Sequence, residues 1–157
     1  MEGMAIDPAA IALLAEAGPL LASDRPRARA LLEQAVALAP DHAQAWLSLG
    51  AARDATGDLN GALAAWRQAQ ALAPRRLNAA YNVAMALQRL GRSAEALAAF
   101  EALSQQFPQT PVVWNTLGTL RLATGAVIPA EEAFQAAIDL DSTDVRARAN
   151  LAAAKRY

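Results

Sequence analysis

The chain has 157 residues, 55% of them hydrophobic and 18% charged, enough apolar material for a core and too much for a disordered chain. Fourteen Lys and Arg against fifteen Asp and Glu leave a formal net charge of −1, which excludes long-range attraction of a polyanion. The absence of cysteine excludes disulfides, thiolate nucleophiles and thiolate-held metals, and the dominance of alanine over β-branched and aromatic residues predicts an all-α fold.

In chain order, residues 1–8 read as a flexible leader. Glu2 and Asp7 precede the first basic residue, Arg25, so the basic start of an export signal is missing. The apolar run Ala9–Ala15 is stopped by Glu16, far short of the roughly 20 residues that cross a bilayer. A cytoplasmic protein without membrane contact is expected. Apolar residues then recur three and four apart between helix breakers, which predicts helices over 8–22, 25–38, 42–56, 59–72, 76–90, 93–106, 110–124, 127–140 and 143–156. Asp7-Pro8 and Thr110-Pro111 place a side-chain acceptor ahead of a first-turn proline, and Asp41 and Ser93 are further cap candidates.

Shifting the chain by 34 residues superposes Gly57, Gly91 and Gly125, and likewise Pro40, Pro74 and Pro108. Ala28, Ala62, Ala96 and Ala130 form a small-residue series, and Leu32, Trp66, Phe100 and Phe134 a bulky one. The string Trp-x-x-Leu-Gly-x-x-Arg-x-Ala-Thr-Gly occurs at both Trp46–Gly57 and Trp114–Gly125. The glycines are expected to end the first helix of each pair in a left-handed conformation, and the prolines to follow the second.

A 34-residue helical hairpin with Trp-x-x-Leu-Gly, a later alanine, an aromatic four residues on and a terminal proline resembles the tetratricopeptide repeat. One unit at 43–76 matches through Trp46, Leu49, Gly50, Ala62, Trp66, Ala69 and Pro74, and another at 111–144 through Trp114, Leu117, Gly118, Ala130, Phe134 and Ala137. The unit at 77–110 carries Ala80 and Ala84 in the Trp and Gly places, and 9–42 is degenerate, keeping Ala28, Leu32, Ala35 and Pro40. The expected architecture is a single domain over 9–157: a right-handed α-solenoid of four hairpins and a capping helix at 145–157, made polar by Arg148 and Lys155. This set of units reads as a complete solenoid or as a piece of a longer one.

The resemblance implies a concave groove lined by the first helices. Trp46, Trp66, Phe100, Trp114 and Phe134 fall on framework places and read as core. The groove candidates are Gln44, Leu47, Ser48, Ala51 and Asp54, then Asn78, Tyr81, Asn82, Met85, Gln88 and Arg89. Val112, Asn115, Thr116, Thr119 and Leu122 follow, with Arg146, Asn150 and Arg156 in the closing helix. Amides and hydroxyls around one tyrosine and one methionine suit peptide backbone with an apolar side chain. Asn82 and Asn150 share one repeat place, with Thr116 between them and Ser48 before, which resembles the polar ladder of some family members; solvated helix surface is the competing reading. The family's carboxylate clamp is not matched, since its five places hold Leu47, Ala51, Asn82, Val112 and Thr116.

Other chemistry is weakly signalled. His42 is the sole histidine and sits in an expected turn without companion ligands, so neither a metal nor a cofactor is expected. Glu131 with Glu132, and Asp139 with Asp141, read as solvated carboxylates, and no phosphate loop or nucleophile elbow is present. Arg25, Arg27 and Arg29, Arg75 and Arg76, and Arg146, Arg148 and Arg156 are interleaved with acids and lack stacking aromatics, against nucleic-acid binding. Arg75 and Arg76 near a helix start oppose its dipole, which points to an ion pair, a partner or a flexible loop. The sequence thus predicts a non-enzymatic adaptor holding a protein or peptide segment. The alternatives are a regulatory or substrate-recruiting domain of a larger enzyme, of glycosyltransferase or sulfotransferase type, and a self-assembling homo-oligomer.

Overall fold

The computed structural model describes residues 5–157, and most of the leader expected over 1–8 lies outside them. Among the described residues the chain is helical without strands: α1 Pro8–Ser23, α2 Arg25–Leu38, α3 Ala43–Ala55, α4 Leu59–Leu72, α5 Leu77–Arg89, α6 Ser93–Gln106, α7 Pro111–Ala123, α8 Val127–Leu140 and α9 Val145–Ala154. Four of these, α2, α4, α6 and α8, have the bounds that the sequence periodicity predicts.

The helix ends follow from identifiable caps. Asp7 accepts from the Ala9 amide at 2.8 Å, as the Asp-Pro start predicts. Thr110 makes no side-chain cap bond, the capping place before α3 belongs to His42 rather than Asp41, and Ser93 is already inside α6 behind Arg92. Three other aspartates do the capping: Asp24 accepts from Arg27 N, Asp58 from Gly61 N, and Asp144 from the amides of Arg146 and Ala147. Asp24 also closes α1 by donating its amide to Leu20 O at 2.8 Å, so a single residue separates α1 from α2.

At the turns inside three hairpins Gly57, Gly91 and Gly125 have φ of 86°, 73° and 80°, the left-handed conformation expected of them. The residue after each glycine donates five residues back, as in Asp58 N to Arg53 O at 2.8 Å, which satisfies a helix-end carbonyl.

Two compact units divide the chain, residues up to Ala86 and residues from Leu87, with α5 contributing to both. In the first, α1 pairs with α2 and α3 with α4, while α2 packs on α3 and α1 lies beside α3. Leu32, Val36 and Leu49 fill its core among Ala17, Ala45, Ala52 and Ala65. In the second, α7 pairs with α8, α6 and α9 flank them, and α7 lies beside α9; Ala130, Phe134 and Ala154 form a core that Leu122 and Leu151 cover.

The repeat series explains this packing. Ala28, Ala62, Ala96 and Ala130 are all fully buried, which lets helix backbones approach closely. Gly50 leaves room for the Trp66 indole and Gly118 for the Phe134 ring: a Cβ at 118 would lie 2.6 Å from Phe134 Cδ1. Trp66, Phe100 and Phe134 are core, as expected. Trp46 and Trp114 are only half-buried, because each directs its indole N–H outward to a proline carbonyl, Pro40 O and Pro108 O, both at 2.8 Å. That bond latches the end of one hairpin to the start of the next.

A second repeated tie uses the arginine of the shared string. Arg53 donates to Gly61 O and Arg121 to Pro129 O, both at 3.1 Å, and each reaches a glutamate of the preceding second helix, Glu33 at 3.7 Å and Glu101 at 3.6 Å. The hairpin at 77–110 carries Leu87 in this place and Ala80 in the latch place.

Candidate functional site

Helical periodicity turns Gln44, Ser48 and Ala51 to one side of α3, away from the buried Ala45, Leu49 and Ala52. Leu47, expected to line a groove, does not: it is 5% exposed, packed inward because an aliphatic side chain at that helix angle gains more from the core than from water. Its carbonyl accepts the Trp66 indole N–H at 3.3 Å. Gln44 is exposed and its amide oxygen accepts from Arg76 Nη1 at 2.9 Å. That bond accounts for one arginine of the dipole-opposing pair, with a neutral amide rather than an ion pair.

On α5, Asn78 is exposed, and Tyr81, Asn82 and Met85 are half-buried along the same side, with the hydrophobic residues Ala79, Val83 and Ala86 on the other. Asp54 on α3 is half-buried. From Leu87 onward, Gln88 is half-buried with its Oε1 shielded from solvent and without a hydrogen-bond partner, and Arg89 is exposed.

In the second unit α7 and α9 bring several candidates together. Asn150 Nδ2 donates to Asn115 Oδ1 at 3.0 Å, a link between two first helices. Thr116 and Thr119 donate their hydroxyls to Val112 O at 2.8 Å and Asn115 O at 3.1 Å within α7. Each hydroxyl oxygen therefore keeps acceptor capacity, while the Asn115 amide keeps its donors. Val112 is 45% exposed and is the apolar element of this face. Arg146 is exposed on α9 and Arg156 in the turn that follows it, whereas Leu122 turns into the core beside Ala130, Phe134 and Ala154. The side-chain link across this face thus runs from Asn150 to Asn115, one residue before the Thr116 place that the repeat alignment singles out.

Among the described residues, no three His, Cys, Asp or Glu side chains gather as a metal site requires, and no helix is long and apolar enough to cross a membrane. His42 is half-buried at the start of α3. Asp141 accepts from the Thr143 hydroxyl at 2.6 Å and from its amide at 3.0 Å, and these bonds hold its carboxyl below the ordinary carboxylate value. It organises the loop before α9, where Ser142 and Arg148 replace the proline and tryptophan of the latch.

This arrangement of paired helices, positive-φ glycines and small-residue seams is that of a helical repeat scaffold. The family model described as Tetratricopeptide repeat matches residues 22–76, 52–111 and 81–145. The chain belongs to the tetratricopeptide repeat family. No curated protein matches the sequence. Among solved structures, MamA 41-end from Desulfovibrio magneticus RS-1 is similar with 20% identity and a TM-score of 0.86, over 97% of this chain and 86% of that one. A tetratricopeptide repeat protein from Parabacteroides merdae ATCC 43184 shares 20% identity with a TM-score of 0.89, over 96% of this chain and 60% of that one. YrrB, described as a TPR protein with an unusual peptide-binding site, shares 21% identity with a TM-score of 0.78, over 95% of this chain and 75% of that one. At these identities the likeness concerns the fold.

Proposed function

We propose that the chain is a non-catalytic scaffold that holds a peptide segment of a partner protein against the first-helix faces, within one repeat domain over 9–157 and in the cytoplasm. The observation that carries the reading is the face of α7 and α9, where Asn115, Thr116, Thr119 and Asn150 offer unused donors and acceptors around the exposed Val112. Spaced polar groups of this kind satisfy a peptide backbone, and the aliphatic side chain gives one residue of the ligand an apolar contact. In the first unit Ser48, Asn78, Tyr81, Asn82 and Met85 make up the corresponding faces. The peptide-binding site in YrrB's description supports the reading by analogy within the fold.

The test is selection of displayed random peptides on the full chain, followed by affinity measurements on Asn115→Ala/Asn150→Ala and Tyr81→Ala/Asn82→Ala variants. The reading expects a selected motif whose affinity falls about tenfold or more in a variant that keeps its melting temperature. Equal affinities for all variants would move the site off these faces.

A further inference from the structure

Asn60-Gly61 is the one Asn-Gly pair in the sequence, and it stands in the first turn of α4. Asparagine followed by glycine is the dipeptide that most readily cyclises, because no Cβ hinders the glycine nitrogen as it approaches the side-chain carbonyl carbon. Asn60 is exposed, so water reaches that carbonyl. The packing shows why glycine stands at 61: a Cβ there would collide with the Asp58 carboxylate. The cap that starts α4 therefore requires the residue that makes Asn60 labile.

The same cap opposes the reaction. Asp58 Oδ1 accepts the Gly61 amide proton at 2.8 Å. That amide is among the first four of α4, which have no carbonyl partner within the helix, so the carboxylate holds its proton in place. Cyclisation needs this nitrogen deprotonated and turned toward Cγ of Asn60, with ψ of Asn60 rotated out of the helical range. Neighbouring helices resist the rotation. Arg53 Nη1 donates to Gly61 O at 3.1 Å, and Arg29 Nη2 holds Asp58 Oδ2 at 3.1 Å. Glu33 lies 3.0 Å from Arg29 Nε and 3.7 Å from Arg53 Nη2, so the contacts close into a ring that passes through Gly61.

We propose that Asn60 is a modification site gated by the Asp58 cap: it stays an amide while the cap is made and converts to aspartate and isoaspartate when the first turn of α4 opens. In the open turn the Gly61 amide gives its proton to water or hydroxide, and its nitrogen bonds to Cγ of Asn60. The Cγ–Nδ2 bond breaks, and the side-chain nitrogen takes a proton from solvent and leaves as ammonia. Water then opens the succinimide. Breaking the new Cγ–N bond leaves aspartate, whereas breaking the original backbone C–N bond leaves isoaspartate, whose chain runs through Cβ and Cγ and is one carbon longer. That extra carbon displaces Gly61 from Asp58 and undoes the tie among α2, α3 and α4. The proposal is independent of peptide capture by the first helices, since it concerns the backbone of a second helix.

The test incubates the full chain at mildly alkaline pH and follows Asn60 by peptide mass spectrometry, which reads the mass gain from amide to acid, with chromatography separating the two products. Asp58→Ala is expected to convert about fivefold or more faster than wild type, the rise in open population that loss of one cap brings. Asp58→Asn keeps a side-chain acceptor for the Gly61 amide and should stay close to wild type. Asp7→Ala removes the cap of α1 in the same unit and should leave the Asn60 rate unchanged. In urea all four chains should convert at one common rate, faster than the folded wild type. A folded wild type as fast as the unfolded chain would overturn the proposal, as would equal rates for wild type and Asp58→Ala. An equal rise in Asp7→Ala would overturn it in favour of general loosening of the unit, and aspartate without isoaspartate in favour of direct hydrolysis by water.

Discussion

Gly118→Ala sets two opposing effects of known size against each other. Alanine in a helix interior is favoured over glycine by roughly 0.5–1 kcal/mol, so an unconstrained site would be stabilised. At 118 the new Cβ would sit 2.6 Å from Phe134 Cδ1, and the ring has no room to retreat because Phe134 is 1% exposed. Overpacking of such a site costs about 1–3 kcal/mol, which exceeds the propensity gain. A net loss of about 1–2 kcal/mol is expected, a fall of roughly 2–8 °C in melting temperature for a domain of this size. The assay is urea denaturation followed by helical circular dichroism, run as a double-mutant cycle with Phe134→Leu. Phe134→Leu alone is destabilising, and in its background Gly118→Ala should become neutral or stabilising because the clash is gone. If Gly118→Ala stabilised the wild-type chain, the close glycine–aromatic seam inferred for this hairpin would be refuted.

Other perturbations separate the remaining terms. Gly57→Ala and Gly125→Ala meet nothing within 4 Å, so their cost of about 1–2 kcal/mol each arises from the positive φ alone, and Gly57→Asn should cost less in the same melts. Asp144→Ala removes the acceptor for two amides and should lower stability by about 1 kcal/mol, while Asp41→Ala, which caps no helix, should change it little in parallel denaturation curves. Trp114→Phe deletes the 2.8 Å bond to Pro108 O and should cost about 1 kcal/mol, with faster amide exchange at the α6–α7 junction. Asp141 has a folded value below its unfolded one, so its contribution is present above the unfolded value and disappears as pH falls through the folded value. Thr143→Val should therefore raise the Asp141 titration midpoint seen by carbon NMR, and its stability deficit at neutral pH should vanish at the acid end of the carboxylate range.

The regular part of the fold was legible because it depends on steric punctuation that recurs. Only glycine takes the φ found at 57, 91 and 125 without strain, and Pro40, Pro74 and Pro108 cannot continue a helix, so their spacing marked the hairpins directly. Caps were less legible. An acceptor immediately before proline marks Asp7, whereas the proline after Asp24 stands one residue further on, and Asp58 and Asp144 have none. Trp46 and Trp114 matched the core pattern in type and spacing, yet their N–H needs an acceptor, and the proline carbonyl draws the ring toward the surface. Face assignment by repeat place failed at Leu47, since its equivalents Tyr81 and Asn115 are half-buried polar residues whereas leucine turns inward. The Asn115–Asn150 bond joins residues 35 apart, one off the repeat period, and no sequence pattern announces such a diagonal pair.

The central claim, that the first-helix faces hold the partner, is tested most directly by site-specific photocrosslinking in cells of the source organism. A benzophenone amino acid is placed at Asn78, Val112 or Thr119 on first helices and at Ala64 or Ala98 on second helices, all exposed. The account predicts one common crosslinked protein from the first-helix positions, absent from Ala64 and Ala98. Crosslinks to that protein from Ala64 or Ala98 alone would contradict it.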